Sequence, residues 1–197
     1  MSELGTPLPL PVADPGTLAR LQRRRSAPAQ ALATPGPTAN ELHVLLETAA
    51  RTPDHGKLFP WRFVVIEGPS KSALVHSLKP LAEGQPDPVK AATVLAKLAN
   101  PPVTVMVVSA PITDHKVPVW EQQLSAGAVC MNLEHAADAM GFSASWITDW
   151  YAYDPATRPL LGLADGEQVA GFIHIGTLTE GPSERPRPDM ASIVSRL

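Results

Sequence analysis

At 197 residues the chain is long enough for one domain with a sizeable core, and 44% hydrophobic against 18% charged residues is the balance of a folded protein, not of a disordered or fibrous one. A formal net charge of -3, with both signs interleaved, supplies no basic field for a nucleic-acid backbone. The one cysteine, Cys130, cannot close an internal disulfide, and the six histidines (His43, His55, His76, His115, His135 and His174) show none of the paired spacings of a metal site.

Residues 1–14 read as a proline-rich arm with no cation ahead of an apolar run, hence no signal sequence, and 15–197 as a single domain. From Asp14 to Arg25, Leu18 and Leu21 lie three apart amid charge, predicting a short amphipathic helix that delivers its arginines at its end. Thr38 followed by Glu41 is a capping-box pair, so a helix should run from about Ala39 to Arg51. Arg62 to Gly68 is too short for a helix and rich in β-branched and aromatic residues, predicting the first strand. Ser70 should cap a helix reaching about Leu81, with another from Pro88 to Leu98. Pro102 to Ala110 is nearly all apolar, which predicts a strand buried on both faces at the centre of the sheet.

The longest helix is expected from about Trp120 to Met140, stopped by Gly141. Its alanine, glycine and serine residues fall on several faces, so it should have close neighbours on more than one side, in the core or at a dimer interface. Cys130, in its apolar middle, reads as a core residue. Phe142 to Thr148 and Gln168 to Gly176 are two further strands, with a short helix from about Pro155 to Leu161 between them. The tail from Ser183 begins Arg185-Pro-Arg187-Pro, which no regular helix accommodates. Lys97 and Pro101-Pro102 interrupt the most apolar region, so no membrane span is expected and the chain reads as cytoplasmic. There is no G-x-G-x-x-G, P-loop or G-x-S-x-G.

Three clusters could carry chemistry. Arg23-Arg24-Arg25-Ser26 offers paired guanidinium donors and a hydroxyl to a phosphate, although on local grounds alone a solvated charge run at a helix end is the better account. The polar loop from Ala50 to Trp61 holds Arg51, His55 and Lys57 within seven positions and could grip an anion or a polar heterocycle; as an ordinary connection, Asp54 would simply form its turn and Trp61 would fill the core. His115 to Glu121, with the strand end Ser145 to Asp149, is the third.

The order of these segments adds what composition cannot. Arg24 to Ser26 (R-R-S), Ala50 to Gly68 (A-x-x-P-D-H-x-x-x-x-P-W-x-F-x-V-I-E-G), His115 to Gly127 (H-K-V-P-x-W-E-Q-x-x-S-A-G) and Val169 to Thr177 (V-x-G-F-x-x-I-G-T) together resemble the nitroreductase superfamily, in particular its small single-domain bacterial members, over about Leu21 to Thr177. The resemblance implies an α+β fold with a mainly antiparallel central sheet flanked by helices, in a homodimer with the long helix at its core or interface. It also implies FMN at that interface, reduced by NADH or NADPH and reoxidised by a nitroaromatic, quinone or similar small acceptor in a ping-pong cycle. Carried over by position, Arg24, Arg25 and Ser26 contact the phosphate and ribityl end. Arg51 and His55, with Pro53 and Asp54 shaping their turn, reach the flavin of the other subunit. Trp146, Ile147 and Thr148 lie along the flavin, and Lys57, Arg185 and Arg187 complete the cofactor-binding candidates. No catalytic residue beyond the flavin and no metal is implied. Lys57, Phe59 and Ile147 depart from the polar residues common in relatives, which leaves open a protein that stores or senses FMN with little turnover; a specialised oxygen-dependent or dehalogenating enzyme is a third reading that none of these residues selects.

Overall fold

In the computed structural model, which describes residues 5–197, the first helix α1 (Pro15–Arg23) begins where the Asp14 carboxylate accepts the N–H groups of Gly16 and Thr17. The capping box read from the sequence is present: the Thr38 hydroxyl accepts the Glu41 N–H, Glu41 accepts the Thr38 N–H, and α2 (Ala39–Ala49) follows. Strand β1 (Trp61–Glu67) then runs directly into α3 (Gly68–Glu83). Gly68 therefore opens the helix instead of ending the strand, and Ser70 is not its cap. Gly68 takes a φ of 52°, which lets the chain turn at once, and the Ser70 hydroxyl donates back to the Glu67 carbonyl at 2.8 Å.

The helix expected from Pro88 to Leu98 is two pieces, α4 (Pro88–Val94) and α5 (Ala96–Ala99). At Leu95 the hydrogen bonding tightens, its N–H reaching Ala92 three residues back. Strand β2 (Val103–Ser109) and the long helix α6 (Val119–Ala139) appear where expected, followed by β3 (Ser143–Ile147) and β4 (Gln168–Gly176). Between β3 and β4 the expected helix from Pro155 shrinks to one tight turn, Pro155–Thr157. The tail around Arg185 and Arg187 has no regular structure and gains only α7 (Met190–Ile193), started by Asp189.

The four strands form one antiparallel sheet in the order β1-β2-β4-β3, so β2 and β4 are central. The pleat splits the apolar run of β2 between two layers. Val103, Val105 and Val107 join Ile173 and Ile175 beneath α2 and α6, where Leu45, Val129, Cys130 and Leu133 are fully buried. Met106 and Val108 join Phe172 on the other face, against Leu78 of α3, Leu98 of α5 and Tyr151. This is why β2 carries no polar face: both its sides are covered by helices. Burial pushes the Cys130 thiol up to about 12, as fits a cysteine used as core filler.

Thr104 and His174 are buried on the second face, hydrogen-bonded to each other at 2.9 Å (Thr104 Oγ1 to His174 Nδ1). Burial, with the nearby Lys71 and Lys97 ammonium groups, lowers the His174 imidazole to about 3. Lys71 itself is buried and donates to the Pro101 carbonyl.

Gly171 of β4 marks a close approach, because a Cβ there would sit 2.0 Å from Trp146 Nε1. The pyrrole edge of the indole lies against the bare backbone and donates to the Ala170 carbonyl at 3.2 Å. Gly171→Ala should push Trp146 off the sheet and cost about 1–3 kcal/mol of stability, read by urea denaturation and tryptophan fluorescence. Unchanged stability and spectrum would contradict this packing. Among the described residues no helix is long and apolar enough to cross a membrane.

Candidate functional site

Arg24 leaves α1 in an extended conformation (φ -55°, ψ 136°), so Arg25 and Ser26 continue toward the sheet, where Ala27 N–H bonds the Ala144 carbonyl at 2.8 Å. The turn of the chain brings Arg20, Arg23, Arg24 and Arg25 around a cleft of about 270 Å³, which Glu134 and Asp138 of α6 also line. Glu134 is only 2% exposed and organises this end. One carboxylate oxygen lies 3.3 Å from Arg24 Nη1; the other accepts the Trp146 N–H at 3.0 Å and stands 3.5 Å from the Ser26 hydroxyl. A single buried acid thus ties the arginine triplet to β3. Arg20 donates to the Asp138 carbonyl at 2.7 Å. Arg25 Nη1 donates to the Arg24 carbonyl at 2.6 Å, its Nη2 pairs with Glu184 of the tail, and its Nε is buried with no partner among the described residues.

The second block is a shaped loop held on α6. Asp54 accepts the N–H groups of Leu58 and Phe59, at 3.0 and 2.8 Å, and thereby holds Lys57 (φ 56°) and Phe59 (φ 48°) in the left-handed region that non-glycine residues seldom occupy. Ser125 donates to the Pro53 carbonyl at 2.9 Å and accepts the Trp61 indole N–H at 3.1 Å, while Asn132 donates to the Thr52 hydroxyl at 2.8 Å. His55 Nδ1 lies 2.7 Å from Glu121. Glu121 and Ser125 of the third block therefore brace the second. His115 only closes its own loop, accepting the Val117 N–H at 3.1 Å. Arg51, Lys57 and Phe59 are exposed, and Arg51 borders a shallow groove with Glu47 and Pro53.

These two groups do not meet within one chain. The loop is fixed to α6 between Glu121 and Asn132, the arginine triplet at Glu134 and Arg20 of α1 at Asp138; Ser125 and Glu134, nine residues apart, are separated by about 13 Å of helix rise. They open to separate clefts, the loop's lined by Pro53, Asp54, His55, Leu124 and Ser125. Trp146 is joined to the triplet through Glu134. Ile147 pairs with Phe172 across the sheet, and the Thr148 hydroxyl accepts from Tyr153 at 2.7 Å. In the tail, Arg187 Nε lies 3.7 Å from Glu184, and the Arg185 N–H bonds the same side chain at 2.7 Å. Sequence reading did not select Glu134, Glu184, Ser125 or Asn132. Glu134 left no distinct signal, because Asn132, His135 and Asp138 flank it in sequence.

Beyond these contacts α6 presents an exposed row at helical spacing, Trp120 at 67%, Leu124 at 53% and Ala128, continued by the half-buried Met131.

The sequence model of the Nitroreductase family matches residues 21–177. The chain belongs to the nitroreductase family. Among its relatives, the candidate NAD(P)H nitroreductase YdjA of Escherichia coli K12 is 35% identical over 163 residues, covering 80% of this chain and 85% of that protein. Of solved structures, the nitroreductase-like protein of Bacillus cereus superposes with a TM-score of 0.82 at 18% identity, covering 95% of this chain and 99% of that one. A Bacteroides fragilis nitroreductase with bound FMN superposes at 0.72 and 19% identity, over 93% and 100%. The α+β fold expected from the nitroreductase resemblance is the fold observed, with its antiparallel sheet between helical layers.

Proposed function

We propose that this nitroreductase-family chain is a cytoplasmic FMN-dependent oxidoreductase that uses NADH or NADPH to reduce a nitroaromatic, quinone or similar small acceptor, working as a homodimer of one FMN-binding domain (residues 15–197) per chain with 1–14 as an arm. The carrying observation is the arginine cleft. Arg20, Arg23, Arg24 and Arg25 line it, and the Nε of Arg25, buried and without a partner among the described residues, is a donor waiting for an acceptor. Such a donor set fits a phosphate monoester. FMN is the phosphate-bearing molecule named in the structure of the Bacteroides fragilis relative, and NAD(P)H the reductant in the name of the Escherichia coli one. The chemistry supplied by FMN, when bound, is two-electron exchange: hydride in from the nicotinamide, then out to the acceptor, in ping-pong order.

The chain's own residues bind and orient. Arg24, Arg25 and Ser26 hold the phosphate end, with Arg185 and Arg187 as further cations, and Trp146, Ile147 and Thr148 run along the flavin. Arg51 and His55, on the turn made by Pro53 and Asp54, together with Lys57, serve the flavin of a second copy, as donors suited to the pyrimidine edge where negative charge gathers on reduction. Two features support the dimer: the distance along α6 between loop and triplet, and the open Trp120–Leu124–Ala128–Met131 row that a second α6 would cover.

Complementation tests the shared site. Arg24→Ala and Arg51→Ala chains, each poor in FMN alone, should on mixing recover FMN in about a quarter of all sites, those uniting an intact Arg24 with an intact Arg51 from the other chain. No recovery in verified mixed dimers, or full FMN occupancy in a monomer, would refute it.

A further inference from the structure

We infer that the arginine cleft takes up its anion by exchange: Glu184 of the C-terminal segment is the resident anion on Arg25, and the phosphate of FMN replaces it. The inference rests on the FMN reading above and adds how that site is kept closed to other anions and opened by the right one.

The geometry of Arg25 is the first argument. Its side chain is 9% exposed, and Nη1 is committed to the Arg24 carbonyl. The remaining edge of the guanidinium, Nε with Nη2, is the fork that matches two oxygens of one anion. Glu184 engages Nη2 alone and leaves Nε buried and unsatisfied. A phosphate, with three terminal oxygens, can take both donors at once and remove the cost of the orphaned N–H.

Charge gives the second. Four guanidiniums against Glu134 and Asp138 leave a surplus of two positive charges in the cleft, which complements a phosphate dianion. Glu184 cancels one of them. With Glu184 in place the cleft is matched to a weaker anion, and with Glu184 withdrawn it is matched to the phosphate.

Mobility of the contact is the third. Glu184 is 70% exposed and sits in a stretch without regular secondary structure, so its carboxylate keeps most of its hydration and can leave Arg25 for water at little cost. The same carboxylate also occupies Arg187 and the Arg185 N–H. Its release therefore also frees the Arg187 guanidinium and the Arg185 N–H when the phosphate arrives.

Titration of apo protein with FMN and, separately, with riboflavin, which lacks the phosphate, reads the exchange through quenching of flavin fluorescence. Glu184→Gln should bind FMN about three- to tenfold more tightly than wild type, by removing the competing state, and bind riboflavin unchanged. FMN affinity equal to or below that of wild type would overturn the exchange; a wild-type preference for FMN over riboflavin would in that case leave the FMN reading standing. Equal wild-type affinity for the two flavins, or none for either, would overturn both, since no phosphate would then be entering the cleft.

Discussion

Arg24→Ala should lose flavin and stability together, and the two losses should separate in a second variant. Arg24 is the charged partner of Glu134, which is 2% exposed. Removing the guanidinium strands a buried carboxylate whose remaining contacts are the Trp146 N–H and the Ser26 hydroxyl, neither of them charged. Breaking a buried pair from one side costs about 3 kcal/mol or more, because the abandoned charge stays out of water. Loss of a charge-assisted phosphate contact of about 1–3 kcal/mol would weaken FMN binding roughly five- to 150-fold. In Arg24→Ala/Glu134→Gln the stranded charge is gone, while an amide oxygen can still accept the Trp146 N–H. The double variant should regain most of the stability in urea denaturation and none of the FMN affinity. Recovery of both would mean that Arg24 acts on the flavin only by keeping the fold together.

Acid should destabilise the protein well before its carboxylates titrate. His174 is held near 3 in the folded chain against about 6.5 when unfolded, by burial and by the ammonium groups of Lys71 and Lys97. A depressed imidazole pKa means that the unfolded chain binds the proton first, so the stability it confers is complete above about 6.5 and drains away as pH falls toward 3. Glu167, drawn down to about 2 chiefly by its hydrogen bonds from Arg62, adds a loss of the same sign, but only from about 4.5 downward. The interval between the two is the histidine's own and should cost about 2–3 kcal/mol. Urea midpoints measured at about pH 7, 5.5 and 4.5 should fall steadily in wild type and much less in His174→Gln, which offers Thr104 a polar neighbour without a titrating ring. A flat wild-type profile across that interval would contradict the buried neutral imidazole.

Features written in adjacent residues could be read from the chain: the Thr38 and Glu41 cap, the two-sided burial of β2, and the stop of α6 at Gly141. Local chemistry misled where backbone geometry decided the outcome. Gly68 turned the strand straight into α3, so Ser70 had no helix to cap, and tightening at Leu95 divided a helix whose pattern was continuous. The arginine triplet was visible but ambiguous, since a solvated charge run looks the same in sequence; the order of four motif blocks, not the triplet, pointed to phosphate. Glu134 and Glu184 escaped because their roles exist only once distant segments meet. Glu134 joins Arg24, more than a hundred positions earlier, to Trp146, and Glu184 reaches Arg25 from the tail. Likewise nothing in Gly171 by itself announces the indole of Trp146 lying against it.

The central claim, that this nitroreductase-family chain carries FMN and draws hydride from a nicotinamide, meets its most direct test in the anaerobic absorbance spectrum of the purified protein. A flavin band present on isolation or after adding FMN, bleached by NADH or NADPH and restored by a nitroaromatic or quinone, is the predicted result. A preparation that takes up no FMN, or a yellow one that neither nicotinamide bleaches, would contradict it, the second outcome pointing instead to storage or sensing of the flavin.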